Sequence, residues 1–193
     1  MRRTWRCAGP VLAAALLVAA CSGEGEEKEP TGLELPEGVS LTEGGSELDP
    51  GDPATVAYPD DTEDATALTV TVDTIQQGRI EDFALFSLSP EDAASTPFYV
   101  TVTVANEGPG TPGTTSLPIF ANDGENTLIS PNAIVGTFEP CAPTPIPADL
   151  PAGDEVTQCL VYLLPEGASL ESVDLQVADA AEAIHWRPEQ PAP

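Results

Sequence analysis

The chain predicts an all-β protein folded as one antiparallel sandwich, and three observations carry that prediction. Apolar and polar residues alternate at period two in several short segments, the pattern of strands with one buried face. Turn-forming pairs and triplets fall between those segments. Helical signal is slight: residues 91–95 and 178–183 can each make about one turn, well short of what an isolated helix needs. The alternating portion, residues 55–190, has the length of a single domain and shows no internal repeat.

The elements follow in chain order. Leu68, Val70 and Val72 alternate with Thr69, Thr71 and Asp73, and Gln77-Gly78 closes that strand. Residues 80–88 form a shorter candidate, ended by Ser89-Pro90. Phe98, Val100, Val102 and Val104 alternate with Tyr99, Thr101 and Thr103 in the cleanest strand, which stops at Gly108-Pro109-Gly110. Candidates follow at residues 116–121, 126–129, 133–138 and 158–164. Asp123-Gly124 marks a hairpin between the first two of these, since both residues tolerate the positive φ of a tight turn. Val173, Leu175 and Val177 repeat the alternation, and residues 183–187 complete the set. Aromatic residues make up only 5% of the chain, so the core must rest on Val, Leu and Ile, with Trp186 and Phe98 as its large fillers.

Residues 1–54 read differently. Arg2, Arg3 and Arg6 precede an apolar run at residues 11–20 that ends Val18-Ala19-Ala20-Cys21. A basic head, an apolar stretch and small residues form a secretory signal peptide. An aliphatic residue and two small ones before a cysteine match the bacterial lipobox, whose thiol takes a diacylglyceryl group. As a helix the run covers ~15 Å, half a hydrocarbon core of roughly 30 Å, so it is too short for a membrane span. The expectation is a signal peptide at residues 1–20, lipidation at Cys21, and an extracytoplasmic protein held at the cell membrane. Residues 21–54 are rich in Glu, Gly, Ser and Pro and poor in apolar side chains. They are expected to be a disordered acidic tether, because little apolar surface is available to offset chain entropy.

After removal of residues 1–20, Cys141 and Cys159 are the two cysteines left beside Cys21. In an oxidising compartment such a pair predicts a disulfide. No Cys-x-x-Cys spacing is present, and the single histidine, His185, lies far off in sequence, which disfavours a metal or redox pair.

Two stretches resemble the immunoglobulin-like domains of bacterial envelope lipoproteins and secreted antigens. One is the alternating run from Phe98 that ends Asn106-Glu107-Gly108. The other is Pro151-Ala152-Gly153, an apolar strand, and Pro165-Glu166-Gly167. The resemblance implies an immunoglobulin-like sandwich with a non-catalytic binding or structural role. Cys159 departs from it, standing where that strand carries an ordinary core residue. A bridge to Cys141 would then staple the proline-rich loop at residues 143–151 to the sheet.

Charge and inventory limit the function further. Without residues 1–20, the 3 cations Lys28, Arg79 and Arg187 face 32 acids, a formal charge of −29. Nucleic acid is excluded as a partner, because its phosphates require Lys and Arg. Any histidine-dependent catalysis must use His185, expected to be an exposed strand residue facing away from Ile184 and Trp186; histidine-rich zinc sites are excluded by count. Adjacent acids at Asp60-Asp61, Glu63-Asp64, Glu81-Asp82, Glu91-Asp92 and Asp154-Glu155 would point to opposite faces of an extended strand. Asp60, Asp61, Glu63 and Asp64, and the turn Asn122-Asp123-Gly124-Glu125, are oxygen-rich but lack the spaced calcium-loop pattern. The glycine-rich residues 108–113 lack the lysine and helix of a phosphate cradle. The leading expectation is a lipid-anchored, non-catalytic module for an envelope protein or small ligand, with no catalytic residue, metal site or cofactor. The alternatives are a calcium-dependent adhesion module and an envelope hydrolase using paired carboxylates.

Overall fold

The computed structural model describes residues 33, 35–59, 65–125, 127–177 and 182–188. Among the described residues, nine strands form two sheets. They are β1 (Glu47–Leu48), β2 (Pro53–Tyr58), β3 (Thr66–Gln77), β4 (Thr96–Asn106), β5 (Ile119–Asn122), β6 (Leu128–Ile129), β7 (Glu155–Leu164), β8 (Ser172–Leu175) and β9 (Ile184–Trp186). One sheet has the order β2-β3-β4-β7 and the other β1-β9-β8-β5-β6. All pairings are antiparallel except β1 with β9. The chain lays β3 and β4 in one sheet, crosses to β5 and β6, returns as β7 beside β4, and crosses again to β8 and β9. That alternation between sheets is the connectivity of an immunoglobulin-type sandwich. The all-β antiparallel sandwich predicted from alternation is what the chain forms.

The period-two residues meet between the sheets. Leu68, Val70, Val72, Val100, Val102, Val104, Tyr162 and Leu164 face Ile119, Ala121, Val173, Leu175, Ile184 and Trp186 in one core. Polar ends inside that core are satisfied: the Tyr162 hydroxyl donates to the Ile119 carbonyl across the sheets at 3.0 Å, and Trp186 Nε1 donates to the Asp52 carbonyl at 2.9 Å. Between β3 and β4 the register shifts from Val72 to Thr74, leaving Asp73 as the extra residue of a bulge. The bulge flips the facing, so Val72 and then Ile75 both reach the core, and Thr103 Oγ1 donates to Asp73 at 2.8 Å on the outside.

Asn106 and Gly108, the pair that ends the cleanest strand, form a fully buried joint. Asn106 Oδ1 accepts from Thr66 Oγ1 at 2.7 Å and from the Gly108 amide at 3.2 Å. Its Nδ2 donates to the carbonyls of Gly110 at 2.7 Å and Leu150 at 2.8 Å. A Cβ on Gly108 would lie 2.4 Å from Thr66 Oγ1 and 2.6 Å from the Ala67 backbone nitrogen, so only glycine fits. The two Pro-x-Gly segments are turns, closed by Asp154 N to Pro151 O at 3.1 Å and Ala168 N to Pro165 O at 3.0 Å.

Several expectations need correction. Residues 80–88 are not a strand: Ile80–Phe83 is a 3₁₀ turn, and Ile80, Phe83, Phe86 and Leu88 pack on the outer face of the four-stranded sheet. Their spacing of about three brings them to one side of a turn, which a strand cannot do. Residues 133–138 are a loop on the same face, where Phe138 lies 4.6 Å from Phe83 and 5.5 Å from Tyr99 between ring centroids. The hairpin at Asp123-Gly124 has a longer loop than the two-residue turn expected, since Asn122 pairs with Leu128.

The boundary at residue 54 also moves. Leu48 packs against the core, and β1 lies beside β9. Thr42 bonds to β2, its amide donating to the Thr55 carbonyl at 2.7 Å. This segment is poor in apolar side chains and joins the domain mainly through backbone hydrogen bonds to strand edges, which hydrophobic patterning does not register. The rest of the expected tether, residues 21–32 and 34, the signal peptide, and residues 178–181 of the helical turn expected at 178–183 lie outside the described residues.

Candidate functional site

Cys141 and Cys159 are joined in a disulfide, with Cα atoms 5.3 Å apart. Cys159 points to the outer face of β7, where it borders a second, smaller apolar cluster of Phe83, Tyr99, Phe138, Cys141, Val161 and Leu163. The bridge therefore holds the loop before Cys141 over that face. The proline-rich segment after it is held by its own side chains, since Ile146 and Leu150 are buried in the main core.

A groove of about 360 Å³ opens beside this bridge. Residues 158–161 of β7 form its floor, and residues 131–134 and 143–145 form its walls. Pro131, Pro143 and Pro145 make those walls stiff and poor in donors. Gln158 is 5% exposed, lines the groove, and makes no side-chain hydrogen bond to the described residues. No amide atom of Gln158 is sealed away without a partner, so its polar end opens to the groove. Patterning alone reads Gln158 as an ordinary polar strand residue. The signal that was available is its position: it falls on the inward register of β7 between Val156 and Leu160.

The β7 edge beside the groove is half covered. The Asn132 amide donates to the Val161 carbonyl at 2.7 Å, and the Leu163 amide donates to Asn132 Oδ1 at 3.0 Å. These bonds establish that odd-numbered residues of β7 turn their backbone groups away from β4. Thr157 and Cys159 share that direction, and no group among the described residues hydrogen-bonds to their outward N–H and C=O.

His185 departs from the exposed residue expected. It faces away from Ile184 and Trp186, as anticipated, but is only partly exposed, and its Nδ1 lies 2.7 Å from Asp174 Oδ1. Asp174 is 1% exposed and also accepts from Ser172 Oγ at 2.6 Å and Asn122 Nδ2 at 2.8 Å. Asp174 carries no mark in the sequence that singles it out, lying between two core residues of β8, Val173 and Leu175. A serine, a histidine and an aspartate thus meet, but the serine and the histidine both bond to the carboxylate. A proton relay needs the serine on the histidine's other nitrogen, so this cluster is arranged as a structural tie across β5, β8 and β9.

The remaining acids are engaged locally. Asp123 Oδ1 accepts from the amides of Glu125 at 2.8 Å and Thr127 at 3.1 Å, which hold its carboxyl below the usual range, the Glu125 amide most of all. Asn122 Oδ1 accepts from the Gly124 amide at 2.9 Å. The oxygens of this turn therefore satisfy its own backbone. Desolvation works to raise Asp82, but donors from Tyr99 and Arg79 outweigh it and hold the carboxyl low. Burial, followed by the bond to Asp82, pushes the Tyr99 hydroxyl up to about 12. Glu47 is lowered by its bond to Arg187, which also pairs with Glu171. Arg79 and Arg187 are the two Lys or Arg residues among those described, and both are paired with carboxylates. No group of three metal-binding side chains is present among the described residues. Cys21, Asp60, Asp61, Glu63 and Asp64 lie outside them.

No family of known proteins and no curated protein matches the sequence. Among solved structures, the chain is similar to MPT63, a secreted protein from Mycobacterium tuberculosis. The two are 15% identical, with a TM-score of 0.46 over 74% of this chain and 96% of that one. The sandwich assignment rests on the strand order and register described above. No helix among the described residues is long and apolar enough to cross a membrane.

Proposed function

We propose that the chain is an envelope lipoprotein, held at the outer surface of the cell membrane by lipid on Cys21, whose sandwich is a non-catalytic binding module. The observation that carries the binding reading is the groove beside β7: a preformed concavity with stiff walls, into whose floor the otherwise buried Gln158 opens an amide with no bond to the described residues. A few fixed polar groups in an otherwise apolar concavity are what ligand sites share. The shared carboxylate of Ser172 and His185 supports the non-catalytic part. The anchor is supported by Val18-Ala19-Ala20-Cys21 and the basic, apolar segment before it.

Intact-mass analysis of the chain purified from its native membranes tests the anchor. The expected product begins at Cys21 and carries a diacylglyceryl group. An uncleaved leader, or a free thiol at the new amino terminus, overturns it. Gln158→Leu tests the binding module: the reading expects the native partner, cross-linked in intact cells, to be lost with the fold unchanged, and unaltered cross-linking refutes it.

A further inference from the structure

We infer that the uncovered half of the β7 edge, together with its groove, takes up an extended segment of a basic partner protein as an added strand. The inference rests on the binding-module reading and names the chemistry of the partner.

Among the described residues, the other strand edges are short or carry a bond near their middle. β2 is tied at Thr55 by Thr42, through both its amide and its hydroxyl. β1 and β6 have two residues each. Asn132 closes β7 at Val161 and Leu163. Natural sheets protect their edges by such devices, and here the protection stops short of residues 155–159. Thr157 and Cys159 there present outward N–H and C=O groups, the template for strand addition. Gln158, on the same strand, places an unpartnered amide in the adjoining groove, where a side chain or carbonyl of an incoming segment can meet it. The proline walls keep the groove open and offer few competing donors.

Charge selects the occupant. Asp154 and Glu155 stand where β7 begins, and both described cations are already paired. The whole chain carries a formal −26. A second copy would bring Glu155 and this net charge against themselves, so self-pairing is disfavoured, whereas a lysine- or arginine-bearing segment is attracted.

The test titrates the full chain in detergent with a fluorescent peptide of alternating lysine and valine. Two controls accompany it: a glutamate–valine peptide, and a lysine–valine peptide N-methylated along one edge. Saturable binding is expected for the first, at least about tenfold tighter than for either control, together with slowed hydrogen exchange at the Thr157 and Cys159 amides. Thr157→Pro removes one outward N–H while sparing the β4 ladder. It should weaken binding about tenfold, or 1.4 kcal/mol. Gln158→Leu is the second variant should the proline disturb folding, and about a threefold or greater loss is expected. Equal binding of all three peptides, or binding unchanged in both variants, overturns the inference. If the peptides fail while Gln158→Leu abolishes cross-linking to the native partner, the edge inference falls and the binding module stands. Failure of both overturns both.

Discussion

Replacing Asn106 with alanine tests the idea that one buried amide joins three segments of the sandwich. The side chain makes four hydrogen bonds: to Thr66 Oγ1, the Gly108 amide, the Gly110 carbonyl and the Leu150 carbonyl. The Gly108 amide keeps a second acceptor in the Ala67 carbonyl, at 3.2 Å, so its loss is small. The other three groups lose a partner, Thr66 and Leu150 at a buried site and Gly110 at a partly buried one, at about 1–3 kcal/mol each. Water entering the vacated space recovers part of this, leaving an expected loss of about 3–4 kcal/mol. For a domain of this size the melting temperature should fall by roughly 10 °C. Urea unfolding followed by far-ultraviolet dichroism measures the first quantity and calorimetry the second. A loss below about 1 kcal/mol would show that the joint is incidental and refute the reasoning. Asn106→Asp adds a check on sign. It keeps the acceptor but sets a carboxylate against two carbonyls, so its folded pKa should rise above the unfolded value. The variant should therefore be more stable in mild acid, where the group is protonated, and lose that stability as pH rises through the folded pKa.

Three further outcomes follow from the same structure. Replacing both Cys141 and Cys159 with serine should cost about 3 kcal/mol on the chain-entropy estimate for a loop of this span, and reductant should have the same effect on the native chain; an unmoved urea midpoint would refute the bridge. Tyr99, raised to about 12 by burial and its bond to Asp82, favours the folded state only while protonated, so about 2–3 kcal/mol of stability should be lost between roughly pH 10 and 12. Ultraviolet titration of the native chain against Tyr99→Phe isolates that tyrosine, and a native midpoint near 10 would contradict the prediction. Asp174→Ala leaves Ser172, Asn122 and His185 without their shared acceptor and should destabilise by about 2–4 kcal/mol; a calorimetric shift within error would mean that the cluster ties nothing.

Alternation made β3, β4 and β8 legible because their apolar residues fall at every second position against one core, which is the condition that period-two patterning detects. It failed for residues 80–88 and 133–138, whose aromatics cover the outer face of the four-stranded sheet. The hint was in β7, where residues 161–164 are apolar without a break, as a strand buried on both faces must be. The half-covered edge beside Gln158 had no comparable signal, since it depends on where Asn132 lands after some thirty residues of intervening chain.

Composition and local order were enough to establish an all-β sandwich, its turns and its acidity, because these follow from side-chain period and from Pro and Gly backbone preferences. They also pointed to the cysteine pair now seen bridged and to the lipid-type motif at Cys21. The groove at Gln158, the carboxylate shared at Asp174 and the entry of residues 42–54 into the sheets came from long-range contacts instead. Those contacts are made largely by backbone groups and single polar atoms, which carry no periodic mark in a linear chain.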